Sequence, residues 1–120
     1  ILYRKDRLSH FKCKIAKLEI KKNMGWCDDP KSKDYNKLIK LPCAYSFEKL
    51  FRKENTYDII LILNYNMKPV IKNKGSAIFI HIAKKNYKKT EGCIALKKAH
   101  LLKIIKRINK NTTIKIENQR

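Results

Sequence analysis

The chain has 120 residues, and a hydrophobic content of 43% is enough to bury a core, which excludes a disordered basic tail. No apolar run reaches the roughly 18 residues that a membrane-spanning helix needs. Thirty Lys and Arg against ten Asp and Glu give a formal charge of +20, which raises nucleic acid as a partner.

Two features weigh against that partner. Lysine supplies 25 of the 30 positive charges and arginine only five, at Arg4, Arg7, Arg52, Arg107 and Arg120. Nucleic-acid sites favour arginine, whose planar fork contacts phosphate and guanine in a bidentate way that an ammonium cannot. Phe, Tyr, Met, Ile, Asn and Lys make up 64 of the 120 residues. These amino acids have AT-rich codons, so base composition accounts for much of the lysine without a ligand. The positive charge coats residues 1–22, 31–53 and 84–110 and is lowest across 56–83, the distribution of a solvated surface around a core.

Residues 1–22 alternate loosely between basic and apolar positions, with Phe11, Ile15, Leu18 and Ile20 apolar, and read as an edge strand and a turn. The chain opens at Ile1 without Met or a signal-peptide pattern, so a removed leader or a missing first segment is expected. Gly25 to Pro30 reads as a loop by its turn residues. Residues 35–41 and 44–52 are short and ambiguous around Pro42, with one helical turn expected over Glu48 to Arg52. Thr56 to Leu63 is a continuous apolar run with β-branched residues, the pattern of a strand buried on both faces. A loop around Pro69 follows, then a second strand from Ser76 to Ala83. Its period of two sets Ile78, Ile80 and Ile82 against Ala77, Phe79 and His81. Lys97 to Lys110 reads as an amphipathic helix with Leu101, Ile104, Ile105 and Ile108 on one stripe, and Thr112 to Ile116 as a closing strand.

The four cysteines, Cys13, Cys27, Cys43 and Cys93, are spaced by 14, 16 and 50 residues and match no zinc framework. Cys13 and Cys43 read as buried thiols, and one disulfide among the first three is left open. The informative stretch is Gly75 to Leu96, GSAIFIHIAKKNYKKTEGCIAL. A histidine ends a buried strand, and twelve residues later a cysteine follows a glycine directly. Thiol nucleophiles need an imidazole to take or share the proton and an open backbone position at the cysteine. Gly92 provides that opening, and the N–H groups around Cys93 are natural donors to a developing oxyanion. By spacing alone, a core histidine and a buried cysteine that never meet is the more conservative reading.

His81 together with Thr90-Glu91-Gly92-Cys93 resembles the active-site region of the YkuD-type L,D-transpeptidases, in which a strand-borne His precedes a Ser/Thr-x-Gly-Cys element. Gly25 to Pro30, Tyr35-Asn36, Tyr57-Asp58, Tyr65-Asn66 and Gly75 to Phe79 are similar to features of a short, single-domain branch of that family, over essentially residues 1–116. The chain departs from the commoner pattern in having Glu91 where a second His is usual and Ile94-Ala95 after the cysteine. It also lacks the family's leading strands and Gly-x-Thr-Pro-x-Gly segment, so a domain truncated at its N-terminus is expected.

The resemblance implies a mainly β domain, a mixed sheet or sandwich with one C-terminal helix, acting in the periplasm or cell envelope, where such enzymes bear on cell shape. It implies cysteine-dependent acyl transfer on peptidoglycan stem peptides by a monomer, with no cofactor, no metal and no specific nucleic acid. Cys93 would attack the L-to-D peptide bond before a terminal D-Ala and form a thioester, which an amine resolves as a cross-link or water releases by carboxypeptidation. His81 would be the base, the Ile82 main chain would orient it, and Gly92 with Cys93 would supply the oxyanion donors. Thr90, Glu91, Tyr65, Asn66 and Ser76 are candidates for substrate binding. Trp26, Asp28 and Asp29 are read either as contacts for substrate amines or as parts of a capped structural turn, the safer of the two. The competing class is a non-catalytic basic module that binds nucleic acid or an anionic wall polymer.

Overall fold

The computed structural model describes residues 1–8, 10–83 and 93–116. Its elements in chain order are β1 (Leu2–Tyr3), β2 (Leu18–Glu19), β3 (Met24–Cys27), β4 (Leu38–Lys40), β5 (Phe47–Lys49), β6 (Ile59–Ile62), β7 (Phe79–Ile82), β8 (Ile94–Leu96) and α1 (Lys98–Arg107). One sheet runs in the order β2-β1-β6-β7-β8, with parallel pairs at its two ends and antiparallel pairs inside. The other is antiparallel in the order β4-β3-β5. The domain is therefore mainly β, with two sheets and one C-terminal helix.

The apolar runs around β6 and β7 lack polar alternation because both faces of the larger sheet are covered. On one face Leu2, Ile60 and Phe79 meet Met24, Trp26 and Leu50 from the region of the smaller sheet. On the other, Ile1, Ile59, Leu61, Ile80 and Ile82 meet Leu101 and Ile105 of α1. Leu101 and Ile105 are both fully buried, and each contributes about 2 kcal/mol of apolar burial. The Phe79 ring stands edge-on to Trp26 at 5.1 Å and to Tyr57 at 5.9 Å, which locks β7 against the smaller sheet.

Several local expectations are corrected. Gly25 to Cys27 is not a loop but lies within β3, the central strand of its sheet, and the loop begins at Asp28. Gly25 suits that position because a Cβ there would come within 3.0 Å of Leu41 and 3.2 Å of the Glu48 carbonyl oxygen. Glu48 to Arg52 forms no helical turn, since residues 47–49 pair with β3 as β5. β1 is an interior strand, with β2 on its outer edge. β7 starts at Phe79 and not at Ser76, because Ala77 sits at a φ of 58° and interrupts the extended chain. In α1, Ile104 is 39% exposed and Leu102 packs on the core instead, so the apolar stripe is turned from the expected one. Thr112 to Ile116 is extended in composition only. It has no ladder, and Ile114 and Ile116 face solvent, because local β propensity makes no strand without a partner edge. None of the four cysteines is in a disulfide, and the buried one is Cys27 in β3, while Cys13 and Cys43 are half-buried.

Candidate active site

Parallel pairing of β7 with β8 matches Ile80 to Ile94, His81 to Ala95 and Ile82 to Leu96. Residues that face each other across a ladder project to the same side. Extending the register by one step sets Cys93 beside Phe79, on the face that also carries His81. The side chains agree with that register. The Cys93 thiol donates to the Ala77 carbonyl at 3.0 Å, and its sulfur accepts the Phe79 N–H at 3.4 Å. Cys93 is half-buried against the cluster that contains Phe79, Trp26 and Tyr57.

His81 is 6% exposed, and the Tyr57 ring stands 5.6 Å from it, centroid to centroid. Its Nδ1 lies 3.0 Å from the carbonyl oxygen of Ile82. A carbonyl only accepts, so Nδ1 carries the hydrogen and Nε2 holds the lone pair.

Burial pushes the Cys93 thiol above its ordinary value, the Phe79 N–H pulls it back, and the Glu48 carboxylate adds a further upward push. Burial likewise holds the Tyr57 phenol well above its usual range, with the Glu48 charge acting in the same sense. Tyr57 is therefore a neutral donor, and its hydroxyl donates to Glu48 Oε1 at 3.2 Å. Arg52 Nη2 lies 3.6 Å from the same oxygen, with its guanidinium 4.3 Å from the Tyr57 ring centre. Glu48 and Tyr57 escaped the sequence reading as site residues. A carboxylate on a short ambiguous segment has no motif, and only the fold brings it toward the cysteine.

The remaining candidates fall into a neighbouring layer. Tyr65 and Asn66 help to line an open depression of about 350 Å³ with Met67, Lys68 and Lys74. Asn66, at a φ of 54°, donates to the carbonyls of Ile71 and Gly75 and accepts the Ile71 N–H, so its amide braces the loop. The Tyr65 ring lies close over Gly75, where a Cβ would approach it to 2.9 Å. The Ser76 hydroxyl donates to the Cys27 carbonyl at 2.8 Å and ties the approach to β7 onto β3. Asn36 links this layer to the thiol: its Oδ1 accepts from Trp26 Nε1 and the Ala77 N–H, and its Nδ2 donates to the carbonyls of Tyr65 and Asn66. Asp28 and Asp29 both bond Ser46, and Asp29 also takes the Lys31 N–H, so both cap a turn. Thr90, Glu91 and Gly92 lie outside the described residues.

The two-sheet β domain thus sets a half-buried thiol and a buried imidazole on one face of its larger sheet, on adjacent parallel strands. The family model for the YkuD L,D-transpeptidase catalytic domain matches residues 4–116. The chain belongs to that family, whose enzymes act on peptidoglycan and usually work in the cell envelope. No curated protein and no solved structure matches the chain. Among the described residues no helix is long and apolar enough to cross a membrane.

Proposed function

We propose that the protein is an L,D-transpeptidase that works through a thioester on Cys93. The observation that carries this reading is the joint placement of Cys93 and His81 on one face, with His81 Nδ1 bonded to the Ile82 carbonyl. His81 Nε2 takes the thiol proton, and the thiolate attacks the carbonyl of the L-to-D peptide bond in a stem tetrapeptide. The oxyanion is held by the N–H groups of Gly92 and Cys93. Collapse breaks the C–N bond, the imidazolium protonates the departing D-Ala amine, and an acyl thioester remains on Cys93. An incoming amine attacks the thioester, gives its proton to His81 Nε2 and expels the thiolate, leaving a cross-link. Water in place of the amine releases a trimmed stem, which is L,D-carboxypeptidation. Substrate binding is assigned to Thr90 and Glu91, which precede the nucleophile in sequence, and to Tyr65, Asn66 and Ser76 in the neighbouring layer. The working protein is a monomer in the periplasm or cell envelope.

Arginine use favours this reading over a basic binding module. Arg4 is paired with Asp6, Arg7 with Asp58, and Arg52 with Glu48 and Glu54, so these guanidiniums are engaged within the fold. The test is mass spectrometry of the protein incubated with a disaccharide tetrapeptide. Loss of D-Ala through an acyl adduct on Cys93, absent in Cys93→Ala, is the expected result. Unchanged turnover by Cys93→Ala would sink the mechanism.

A further inference from the structure

Cys93 and Phe79 pack on one face of the larger sheet, and α1 covers the other. Two stretches of chain build that cover. Leu101, Leu102, Ile105 and Ile108 come from α1 and its end, and Phe11, Cys13 and Ile15 from the segment before β2. Residues 10–18 and 93–116 together hold ten Lys and Arg and no Asp or Glu. The described acids stand instead at positions 6, 19 and 28 to 58. Base composition raises lysine along the whole chain, but it does not keep carboxylates off one side of the fold.

Periodicity fixes where these charges point. Leu101 and Ile105 turn inward, so Lys103, Lys106 and Arg107 stand on the solvent side of α1. Lys12 and Lys14 alternate with the inward Phe11, Cys13 and Ile15 and are likewise exposed. Among the described residues none of these five cations forms an ion pair, whereas Arg4, Arg7 and Arg52 are all paired with acids. Lys103 stands three residues before Lys106 and four before Arg107, spacings at which like charges destabilise a helix. An anionic partner laid on this face relieves that repulsion.

Two observations choose the partner. Four of the five cations are lysines, point charges suited to neutralising a charged surface and not to reading a nucleic acid. Isoleucines are also exposed in the same stretch: Ile104 at 39%, next to Lys103, then Ile114 at 45% and Ile116 at 74%. Apolar side chains gain nothing from a water-soluble polyanion, whereas among cations they suit the boundary between lipid headgroups and acyl chains. We propose that the α1 side of the domain docks on a bilayer surface rich in anionic lipid, with the Cys93 side turned away from it. The inference goes beyond the acyl-transfer reading and does not rest on it, since docking needs neither Cys93 nor turnover.

The test is co-sedimentation of the protein with vesicles of equal parts phosphatidylglycerol and phosphatidylcholine, compared with vesicles of phosphatidylcholine alone. Binding is expected on the anionic vesicles only and is expected to weaken as salt is raised. Each basic residue near an anionic bilayer is worth about fivefold in partitioning, so Lys103→Gln, Lys106→Gln and Arg107→Gln combined are expected to lose about 100-fold. Failure to bind the anionic vesicles at low salt, or equal binding to both kinds, overturns the proposal.

The face is read on the native chain, so the answer does not depend on how a variant folds. Acetylation of lysines, mapped by mass spectrometry, is expected to be suppressed on vesicles at Lys103 and Lys106 and unchanged at Lys40 and Lys49 of the smaller sheet. Equal suppression at all four, or suppression at Lys40 and Lys49 alone, removes α1 as the docking face. Soluble polyphosphate separates lipid from polyanion. Ile104→Ser with Ile116→Ser is expected to weaken vesicle binding severalfold and to leave polyphosphate binding unchanged. Vesicle binding that ignores both isoleucine changes overturns the bilayer as the partner and assigns the face to a soluble polyanion.

Discussion

Asn36→Ala tests the link between the smaller sheet, the 64–75 loop and the thiol. Asn36 is 2% exposed, and its amide makes four hydrogen bonds of 2.8 to 3.2 Å. Alanine leaves two buried donors, Trp26 Nε1–H and the Ala77 N–H, without an acceptor, at about 1–3 kcal/mol each. The carbonyls of Tyr65 and Asn66 are part-buried and turn toward water at little cost. Asn36 also sits at a φ of 58°, a conformation that asparagine tolerates and that costs alanine about 1 kcal/mol more. The loss is about 4 kcal/mol, a large share of the roughly 5–15 kcal/mol that holds a domain. With a urea m-value of about 2 kcal/mol per molar, the unfolding midpoint drops by about 2 M. Asn36→Gly loses the same bonds but not the backbone term, so it is expected to be about 1 kcal/mol more stable than Asn36→Ala. Because the Ala77 carbonyl accepts the Cys93 thiol, both variants are also expected to change the alkylation rate of Cys93. A midpoint for Asn36→Ala within about 0.5 M of the unaltered protein, or a glycine variant less stable than the alanine one, refutes the reasoning.

Ile105→Ala removes a fully buried side chain from the helix–sheet interface and is expected to cost about 2–5 kcal/mol in urea unfolding, while Ile104→Ala on the exposed side stays within about 0.5 kcal/mol; equal losses would contradict the observed stripe. The hydrogen bond and charge of Arg4 hold the Asp6 carboxylate at about 2, below its ordinary 3.8. A depressed carboxylate stabilises the fold above its unfolded value, and the contribution is lost as pH falls through about 2. The difference in urea midpoint between the native chain and Asp6→Asn, small because Asp6 is exposed, is expected to close between pH 3.8 and 2 and to shrink with salt; a pH-independent gap counts against it. The pH profile of Cys93 alkylation by iodoacetamide is expected to inflect above the roughly 8.5 of a free thiol, because burial and Glu48 both raise it. Glu48→Gln moves that inflection down, and an inflection of the native protein at or below the free value would show the environment to be misread.

The legible parts of the chain were those whose side chains state their own surroundings. The apolar runs of residues 56–63 and 76–83 mark the strands covered on both faces, and alternation along the second puts Phe79 and His81 together on one side. His81 and Cys93, singled out in the chain, are brought to one face of the larger sheet by the β7–β8 pairing. Gly25-Trp26-Cys27 read as a loop because glycine beside Asp and Pro is a turn signal. Its strand character comes from Leu41, Phe47 and Glu48, which crowd the bare Gly25 from two other segments. The 112–116 segment erred the other way, with strand composition and no edge to join.

Sequence alone determined the mainly β core, the amphipathic helix and the family, because periodicity and residue chemistry are local properties. Tertiary structure decided what distance along the chain conceals. The parallel β7–β8 register sets Cys93 on the face of His81, the Ile82 carbonyl fixes the imidazole tautomer, and Asn36 ties the loop to Ala77. It also turned Glu48 toward the thiol, because a residue on an edge strand has no direction until its partner strand is known. The charge of +20 is a sum over the whole surface, whereas the Cys93 thiol is raised first by its own burial, with the Glu48 charge a lesser cause in the same direction.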